Sequence, residues 1–410
     1  MTKESKKRPE LRFPEFTDDW EQRKLGDISE IKTGPFGSML HADDYVSNGV
    51  PIITTEHFKT GTLPTDKCGL PQVSENDFNR LSAYILNEGD IVFSRVGSVD
   101  INALITPLQS NWLFSGRVLR VRPQDKNSSQ FLHTLLETEN IKSDIRARAV
   151  GQAMPSINTE ILKTTQLLLP VSIAEQELLG EYFHNLDNLI ALRQRELDEL
   201  KELKKGMLQK MFPKNGEKVP EIRFPEFTGD WEQHKVKEFA VESEVKGHSG
   251  KDAKKLTVKL HNKGVCVADE KIQGSDNTQY YIRRAGQFIY GKQNFFNGAI
   301  GIVPEKLDKY ESTKDVPAFD ISSDVNVDWL YYYIARPEIY KPQEALCTGT
   351  GSKRFHANNF YNLSLAIPKM DEQIKIKEYF VHLDNLIALH QRELDGYKEL
   401  KKGLLQQMFC

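Results

Sequence analysis

The sequence predicts a mixed α/β protein that is built twice, with two variable domains of similar fold separated by two long helices. Three observations predict this fold class: a long internal repeat, short β-branched segments inside each copy, and a heptad pattern near the end of each copy. The chain has 410 residues. This length suggests two or three domains, because single hydrophobic cores rarely grow beyond about 250–300 residues.

The internal repeat consists of two constant blocks on either side of a divergent middle. Residues 9–24 recur as 220–235 with 13 of 16 identical, and residues 181–212 recur as 378–409 with 25 of 32 identical. A period near 200 residues is too long for a solenoid and indicates a duplicated domain pair. Constant ends with variable middles suggest that the ends meet a partner used twice and that the middles meet targets that differ.

The repeat predicts six consecutive segments. They are an N-terminal constant segment, a first variable domain, a central constant helical region, a linker with the repeated constant segment, a second variable domain and a C-terminal constant helical region. Their predicted limits are 1–24, 25–170, 171–212, 213–235, 236–368 and 369–410.

The composition excludes several classes of protein. Hydrophobic residues make up 39% and charged residues 28%, which is enough apolar side chain for packed cores and excludes a disordered chain. Four cysteines without a CxxC pair argue against a disulfide scaffold or a zinc ribbon and predict a reducing compartment. A polar N-terminus and short apolar runs add to the expectation of a cytoplasmic protein without a membrane partner.

The net charge is −3, so the bulk basicity common in nucleic-acid-binding proteins is missing. The average hides a gradient along the chain. Residues 27–160 carry 12 Lys/Arg against 16 Asp/Glu, a balance of −4, whereas residues 244–309 carry 12 against 7, a balance of +5.

Short segments rich in β-branched residues, bounded by Gly, Pro, Asn or Asp, predict strands in both variable middles. A helix follows in each middle, at 131–148 in the first copy and 327–336 in the second. The predicted strands are 50–55, 90–93, 103–105 and 118–122 in the first copy, and 255–260, 264–268, 287–290, 299–303 and 316–321 in the second.

A heptad pattern in each constant helical block predicts that the two helices pair along a seam as a coiled coil. Lysines interrupt the pattern at the same place in both copies, Lys204 and Lys401. The alternative is that each helix packs on its own domain, and matched heptads permit either relative direction. The predicted seam residues are Phe183, Leu186, Ile190, Leu197, Leu200, Phe380, Leu383, Ile387, Leu394 and Tyr397.

A helix pair of this kind would act as a spacer. Thirty-two helical residues span about 48 Å, which exceeds one turn of DNA at about 34–36 Å. The spacing suits a protein that reads two half-sites separated by a gap. Because the two variable middles differ, the target would be bipartite and asymmetric.

Three repeated sequences resemble those of one protein family. The FPEF-x-x-DWE segments (13–21 and 224–232), the LDNLIAL-x-QREL helices (186–197 and 383–394) and the K-x-L-K-K-G-x-L-Q-x-M-F endings resemble the specificity subunit of type I restriction-modification enzymes. The resemblance covers essentially the whole chain. It implies two target-recognition domains in inverted, pseudo-twofold orientation, joined by an antiparallel intramolecular coiled coil.

The same resemblance implies a set of partners. These are double-stranded DNA, two modification subunits that bind S-adenosylmethionine and methylate adenine, and restriction subunits that use ATP and Mg to translocate and cleave DNA. This chain would then be a non-catalytic recognition and scaffold subunit with one target-recognition domain per half-site. It would carry no cofactor, metal or catalytic residue of its own.

The sequence also lacks several motifs of catalytic proteins. It has no GxGxxG after a predicted strand, no Asn/Asp-Pro-Pro-Tyr/Phe methyltransferase loop and no Walker A motif, and its histidines lack HxxxH spacing. Two alternatives stay open. A self-contained DNA nuclease or methyltransferase would bind its own cofactor, and a non-specific DNA-bridging architectural protein would not distinguish sequences.

Two pairs of aligned loops carry polar side chains of the types that read base edges in DNA grooves. In the first pair the candidates are Arg95, Ser98 and Asn102, and Lys292, Gln293, Asn294 and Asn297. In the second pair they are Gln152, Ser156 and Asn158, and Ser352, Lys353, Arg354 and His356. The alternatives are an ordinary hairpin turn for the first pair and helix capping by Ser156 or Asn158 for the second.

A third candidate is a run of lysines in the second copy. Lys251, Lys254 and Lys255, near Lys246, predict a stretch that contacts phosphates. The alternative is a solvated loop.

Overall fold

The computed structural model describes residues 7–35, 39–124, 127–214, 216–250, 252–269, 277–349 and 352–409. The chain forms two compact units. The first unit contains Met1–Gln194 with Arg392–Cys410, and the second contains Arg195–Gln391. Within the described ranges, no helix combines the length and the apolar character needed to cross a membrane.

The first unit combines an antiparallel four-stranded sheet with a second small sheet and several helices. Its strands are β1 (Glu21–Lys24), β2 (Ser29–Thr33), β3 (Tyr45–Val46), β4 (Val50–Ile53), β5 (Gln72–Val73), β6 (Ile91–Ser94), β7 (Asn102–Leu104), β8 (Leu113–Phe114), β9 (Val118–Pro123) and β10 (Gln166–Leu169). Its helices are α1 (Leu25–Ile28), α2 (Glu75–Arg80), α3 (Ser129–Leu136), α4 (Glu139–Arg148), α5 (Thr159–Lys163) and the start of α6 (Ile173–Lys210).

The second unit repeats this mixture. Its strands are β11 (Glu232–Lys235), β12 (Ala240–Glu242), β13 (Lys246–Ser249), β14 (Leu256–Val258), β15 (Val265–Val267), β16 (Gln279–Ile282), β17 (Phe288–Tyr290), β18 (Ile300–Ile302), β19 (Glu311–Ser312), β20 (Ala318–Ile321) and β21 (Ser364–Ile367). Its helices are the end of α6, α7 (Val327–Ile334), α8 (Pro337–Tyr340), α9 (Ala357–Tyr361) and most of α10 (Met370–Met408).

The two units have the same main sheet. Its strand order is β2-β9-β6-β7 in the first unit and β12-β20-β17-β18 in the second, antiparallel throughout. In each unit a strand of the constant segment also pairs with the strand just before the long helix. These pairs are β1 with β10 and β11 with β21. The mixed α/β class and the similar fold of the two variable domains are confirmed.

The predicted strands occur within two residues of their predicted limits, but the single helix predicted at 131–148 is wrong. The chain forms α3 and α4 instead, since Thr138 leaves the helical conformation with φ −66° and ψ 143°. Its hydroxyl donates to the Leu135 carbonyl at 2.7 Å. A threonine that bonds the preceding turn in this way competes with helix continuation.

A buried carboxylate attaches each long helix to the constant segment of its unit. In the first unit Glu175 accepts two hydrogen bonds from Arg12, at 2.6 and 2.8 Å, and one from Trp20 Nε1 at 3.2 Å. The second unit repeats the arrangement with Glu372, Arg223 and Trp231. The two glutamates are only 1% and 2% exposed, so each depends on its guanidinium for charge neutralisation.

The next residue along each helix attaches it to the variable domain. Gln176 Oε1 accepts from the Ser128 backbone N–H at 3.2 Å, and Gln373 Oε1 accepts from the Asn326 N–H at 2.8 Å. Ser128 and Asn326 are the N-caps of α3 and α7. The start of each long helix is therefore joined to the start of a domain helix.

The end of each long helix lies in a domain core. In the first unit Phe409 stacks on Phe131 and contacts Trp20 and Phe183, with ring centroids 5.5 to 6.1 Å apart. In the second unit Phe212 stacks on Phe380 and contacts Trp231, Trp329 and Tyr333, at 5.3 to 6.3 Å. The constant tryptophans Trp20 and Trp231 thus pack in the cores.

Pairing of the two helices is visible inside each unit. In the first unit Lys401 Nζ lies 2.6 Å from Asp187 Oδ1, and Lys398 lies 3.5 Å from Gln194. Residue numbers increase along one helix while those of the paired residues decrease along the other, so the helices are antiparallel. The second unit shows the same direction, with Lys204 2.5 Å from Asp384 and His390 3.7 Å from Glu196. The lysines that interrupt the heptads are therefore cross-helix ion-pair partners.

Burial along the predicted seam is uneven. Ile190, Leu200, Ile387 and Tyr397 are half-buried. The other six predicted positions are buried: Phe183, Leu186, Leu197, Phe380, Leu383 and Leu394. Phe183 and Phe380 belong to the cores of their variable domains as well as to the helix pair, so the helices also pack on domains, as the alternative stated.

We predict that Glu175→Ala lowers the free energy of unfolding of the first unit by about 3–5 kcal/mol, because it removes the neutralising partner of Arg12 and the acceptor of the buried Trp20 N–H. Urea denaturation of the full chain checks this. Glu177→Ala, exposed on the same helix, is the control and should cost less than about 0.5 kcal/mol. Equal losses from the two variants would contradict the role of Glu175.

A second prediction concerns the cross-helix ion pair. Asp187→Lys places two lysines side by side and should lower the free energy of unfolding by about 1 kcal/mol, whereas D187K/K401D should restore most of it. Thermal denaturation of the two variants measures the rescue. D187K/K402D is the matched control, because Lys402 is exposed. Rescue by K402D as large as by K401D would argue against this pairing.

Candidate nucleic-acid interface

The fold brings the two predicted loops of each unit together. In the first unit the Ile157 N–H donates to the Arg95 carbonyl at 2.9 Å, and in the second the Phe355 N–H donates to the Lys292 carbonyl at 2.8 Å. Short β-bridges between Val150 and Ser156 and between Thr348 and Arg354 shape the second loop of each unit. We call the two joined loops of a unit its loop pair, residues 94–102 with 150–158 in the first unit and 291–298 with 348–349 and 352–356 in the second.

A third loop joins each pair. The Arg95 N–H donates to the Arg117 carbonyl at 2.9 Å, and the Lys292 N–H donates to the Asp315 carbonyl at 2.8 Å. Because the same backbone hydrogen bonds occur in both units, three pairs of positions are structurally equivalent. They are Arg95 and Lys292, Arg117 and Asp315, and Ser156 and Arg354. The backbone frame is therefore the same, and the side chains on it differ.

Three predicted residues of the first unit lie at the surface of its loop pair. Ser98 and Gln152 are exposed. Ser156 is half-buried, and its hydroxyl donates to the Val150 carbonyl at 3.3 Å. These side chains lie where a ligand outside the domain can reach them.

The other three candidates of the first unit have structural contacts. Half-buried Arg95 donates from Nη1 to the Gly116 carbonyl at 3.1 Å. Asn102 is fully buried and donates to Glu137 Oε1 at 2.8 Å, so it cannot reach a ligand outside the domain. Asn158 is exposed and caps α5 by accepting from the Ile161 N–H at 2.9 Å, as the alternative stated.

In the second unit the first loop, Lys292–Asn297, consists of two 3-10 turns joined at a kink, where Asn294 has φ −130° and ψ 21°, rather than a simple hairpin turn. Gln293 is exposed there, while Lys292 and Asn294 are half-buried. The Asn297 side-chain amide donates to Asn294 Oδ1 at 3.1 Å. This hydrogen bond holds two of the four candidate side chains to each other.

The second loop of the second unit carries two cations that are paired with carboxylates of the same unit. Lys353 Nζ lies 2.7 Å from Glu344, and Arg354 Nε donates to Asp315 Oδ1 at 3.2 Å. All four side chains are between 36% and 54% exposed, so the pairs are open to solvent and to exchange. The remaining candidates, Ser352 and His356, are half-buried and exposed respectively, and His356 Nε2 lies 3.1 Å from Thr348 Oγ1.

Two residues of the site were missed by sequence reasoning, Arg117 and Asp315. Arg117 is exposed, and within the described part of the chain no side-chain hydrogen bond or ion pair of its guanidinium occurs. It lines a cleft of about 240 Å³ with Lys59, Ser98 and Met154 among others. Arg117 directly precedes β9, and Asp315 lies three residues before β20. The sequences around these two positions have diverged, so no sequence signal marked them as equivalent.

The lysine run of the second unit is only partly described. Lys251 lies outside the described residues. Lys254 is exposed, and half-buried Lys255 lies over the Tyr280 ring with its Nζ 5.3 Å from the centroid. The run is joined to buried Glu311, whose N–H donates to the Lys254 carbonyl at 2.7 Å.

Glu311 also organises the strand β13 beside this run. Its carboxylate accepts from the His248 backbone N–H at 2.7 Å, and its other oxygen lies 2.6 Å from His248 Nδ1. This hydrogen bond raises the pKa of His248 above its ordinary value of 6.5. The imidazolium therefore adds a positive charge near the lysines at mildly acidic pH.

Comparison with known proteins connects this geometry to one family. Residues 17–202 match the family model described as the type I restriction modification DNA specificity domain. The type I restriction enzyme MjaVIII specificity subunit of Methanocaldococcus jannaschii is 22% identical over 96% of this chain and 92% of that protein. A second protein of that organism, named for the same role, is 25% identical over 95% of this chain and 93% of its own length.

Solved structures give the same fold. The S subunit of a type I restriction-modification system from M. genitalium matches with a TM-score of 0.62 at 13% identity, covering 98% of this chain and 99% of that one. A chain from a structure describing complex assembly and conformational transition of the type I R-M system matches with a TM-score of 0.55 at 14% identity, covering 95% and 97%.

We predict that His248 titrates above pH 6.5 and that Glu311→Gln lowers its pKa, because the carboxylate is the main cause of the shift. The folded pKa exceeds the unfolded one, so the stabilisation is complete below pH 6.5 and is lost as pH rises through the folded value. An NMR titration of the His248 ring protons measures both pKa values. His234, which pairs with Glu238, is the control and should not respond to Glu311→Gln.

Proposed function

Since this chain belongs to the type I restriction-modification specificity subunits, we propose that each unit reads one half of a bipartite, asymmetric DNA site. The chain is a DNA sequence-recognition subunit of a restriction-modification complex and is not itself the enzyme. The observation that carries the proposal is the loop pair, because one backbone frame occurs in both units with different polar side chains on it.

The proposed partners follow from the duplication. Double-stranded DNA would contact the two loop pairs and, through phosphates, the lysines near Glu311. Two copies of a modification subunit would dock on the constant segments, because those segments occur twice with nearly the same sequence. Restriction subunits would join that assembly, with S-adenosylmethionine, ATP and Mg bound on the partner subunits and adenine methylated there.

The proposed readers are the polar side chains of the loop pairs that lie at the surface. They are Ser98, Arg117, Gln152 and Ser156 in the first unit, and Gln293, Lys353, Arg354 and His356 in the second. Buried Asn102 is left out of the set, and Arg95 and Asn158 are assigned to holding the frame. Arginine and glutamine can form bidentate contacts with base edges in the major groove.

Selection from a random duplex pool by the full chain, assembled with its modification subunits, tests the proposal. We predict that the selected duplexes share two defined blocks separated by an undefined gap. Gln152→Ala should relax one block only, by about 1–3 kcal/mol for the affected base pair, and leave the other block intact. Asn76→Ala is the matched control, because Asn76 is an exposed polar residue on α2 of the same unit, outside both the loop pair and the constant segments.

Two results would contradict this function. Selection of one continuous block would exclude a bipartite reader, and absence of enrichment would favour the architectural alternative. Calorimetry of the isolated chain with S-adenosylmethionine and Mg²⁺ separates the remaining alternative, because a self-contained nuclease or methyltransferase would bind its own cofactor with saturation.

A further inference from the structure

The equivalent positions of the two loop frames carry opposite arrangements of charge. In the first unit Arg117 is on the third loop and Ser156 is on the second loop of the pair. In the second unit the third loop carries Asp315, and the arginine, Arg354, is on the second loop. The guanidinium thus lies on different loops of the frame in the two units, and the second unit has a carboxylate at the position equivalent to Arg117.

The contact between Arg354 and Asp315 has a particular geometry. Only Nε of Arg354 donates to Asp315 Oδ1, at 3.2 Å. Within the described residues, the two terminal nitrogens of the guanidinium make no other hydrogen bond. The Arg354 and Asp315 side chains are 36% and 49% exposed, so this pair of donors is accessible while the carboxylate accepts from Nε.

A guanidinium that is bound through Nε is well suited to bind a guanine base. Its two terminal N–H groups form a fork that matches O6 and N7 of guanine in the major groove, the commonest specific contact in protein–DNA complexes. Its neighbour Lys353 is a flexible point charge paired with Glu344 and suits a phosphate oxygen. Arg354, which offers two parallel donors and is bound to Asp315 through Nε, is therefore the better base reader of the two.

Resting on the function proposed above, we infer that Arg354 reads a guanine in the half-site of the second unit and that Asp315 is its positioning residue. The Asp315 carboxylate holds the guanidinium through Nε and leaves the fork for the base. The first unit has Ser156 at the equivalent position, so its half-site does not share this requirement.

The test is selection from a random duplex pool by the full chain assembled with its modification subunits. Arg354→Lys keeps the charge but removes the fork, and should reduce the preference for guanine at one position by about 5- to 150-fold. Every other position, and binding to non-specific DNA, should change little. Asp315→Ala should weaken the same position to a smaller extent, which a merely structural role would not do.

Lys306→Ala, an exposed lysine on a separate 3-10 turn, is the matched control and should select the wild-type site. Unchanged guanine preference in Arg354→Lys would overturn the inference. The inference would also be overturned if Arg354→Ala lost affinity equally for all DNA sequences and its binding depended less steeply on salt, because that pattern marks a phosphate contact. In all of these outcomes the wild-type chain still selects a bipartite site. If the proposed function were wrong, the wild-type chain itself would not select one.

Discussion

The structure depends on two buried carboxylates, Glu175 and Glu372. Each is almost fully removed from solvent, is neutralised by one arginine of the constant segment in its unit and accepts a hydrogen bond from one tryptophan of that segment. Burying a carboxylate is costly unless it is paired and hydrogen-bonded, and breaking such a pair costs more than its formation gains. The glutamate, the arginine and the tryptophan of this contact therefore tolerate little change, and the same three residue types occur in both copies.

This attachment lets the variable domains diverge without loosening the helices. Gln176 and Gln373 reach the variable domains through backbone N–H groups, those of Ser128 and Asn326. A backbone donor is present whatever the side chain is, except in proline. At this contact the long helix holds the variable domain through a group that does not depend on the side chain, and the loop pairs can change their side chains while the frame and the helix stay in place.

The repeat, the β-branched segments and the heptads sufficed to predict the fold class, because each is a local signal with a definite period. They did not predict that Phe212 and Phe409 end in domain cores, since a heptad identifies an apolar face but not what covers it. The same limit applies to Asn102, which reads as a polar loop residue but lies in β7 bonded to Glu137. Equivalence of Arg117 and Asp315 became visible only through their backbone hydrogen bonds, because the sequences around them have diverged.

The carboxylates beside the proposed readers explain how a chain of net charge −3 can be selective. Glu344 and Asp315 neutralise Lys353 and Arg354 in the free protein, so these cations add little attraction toward DNA of any sequence. A duplex that offers the right acceptors binds the terminal N–H groups of Arg354, which Asp315 does not use, and draws Lys353 from Glu344. A wrong duplex brings its phosphates toward the carboxylates without an equivalent gain. Specificity is a difference of affinities, and a repulsive element against wrong ligands increases it. General affinity for the phosphate backbone, which is electrostatic and independent of sequence, would then come mainly from the partner subunits. On this argument the slightly negative net charge of the chain is a consequence of its proposed role as the reader in a larger assembly.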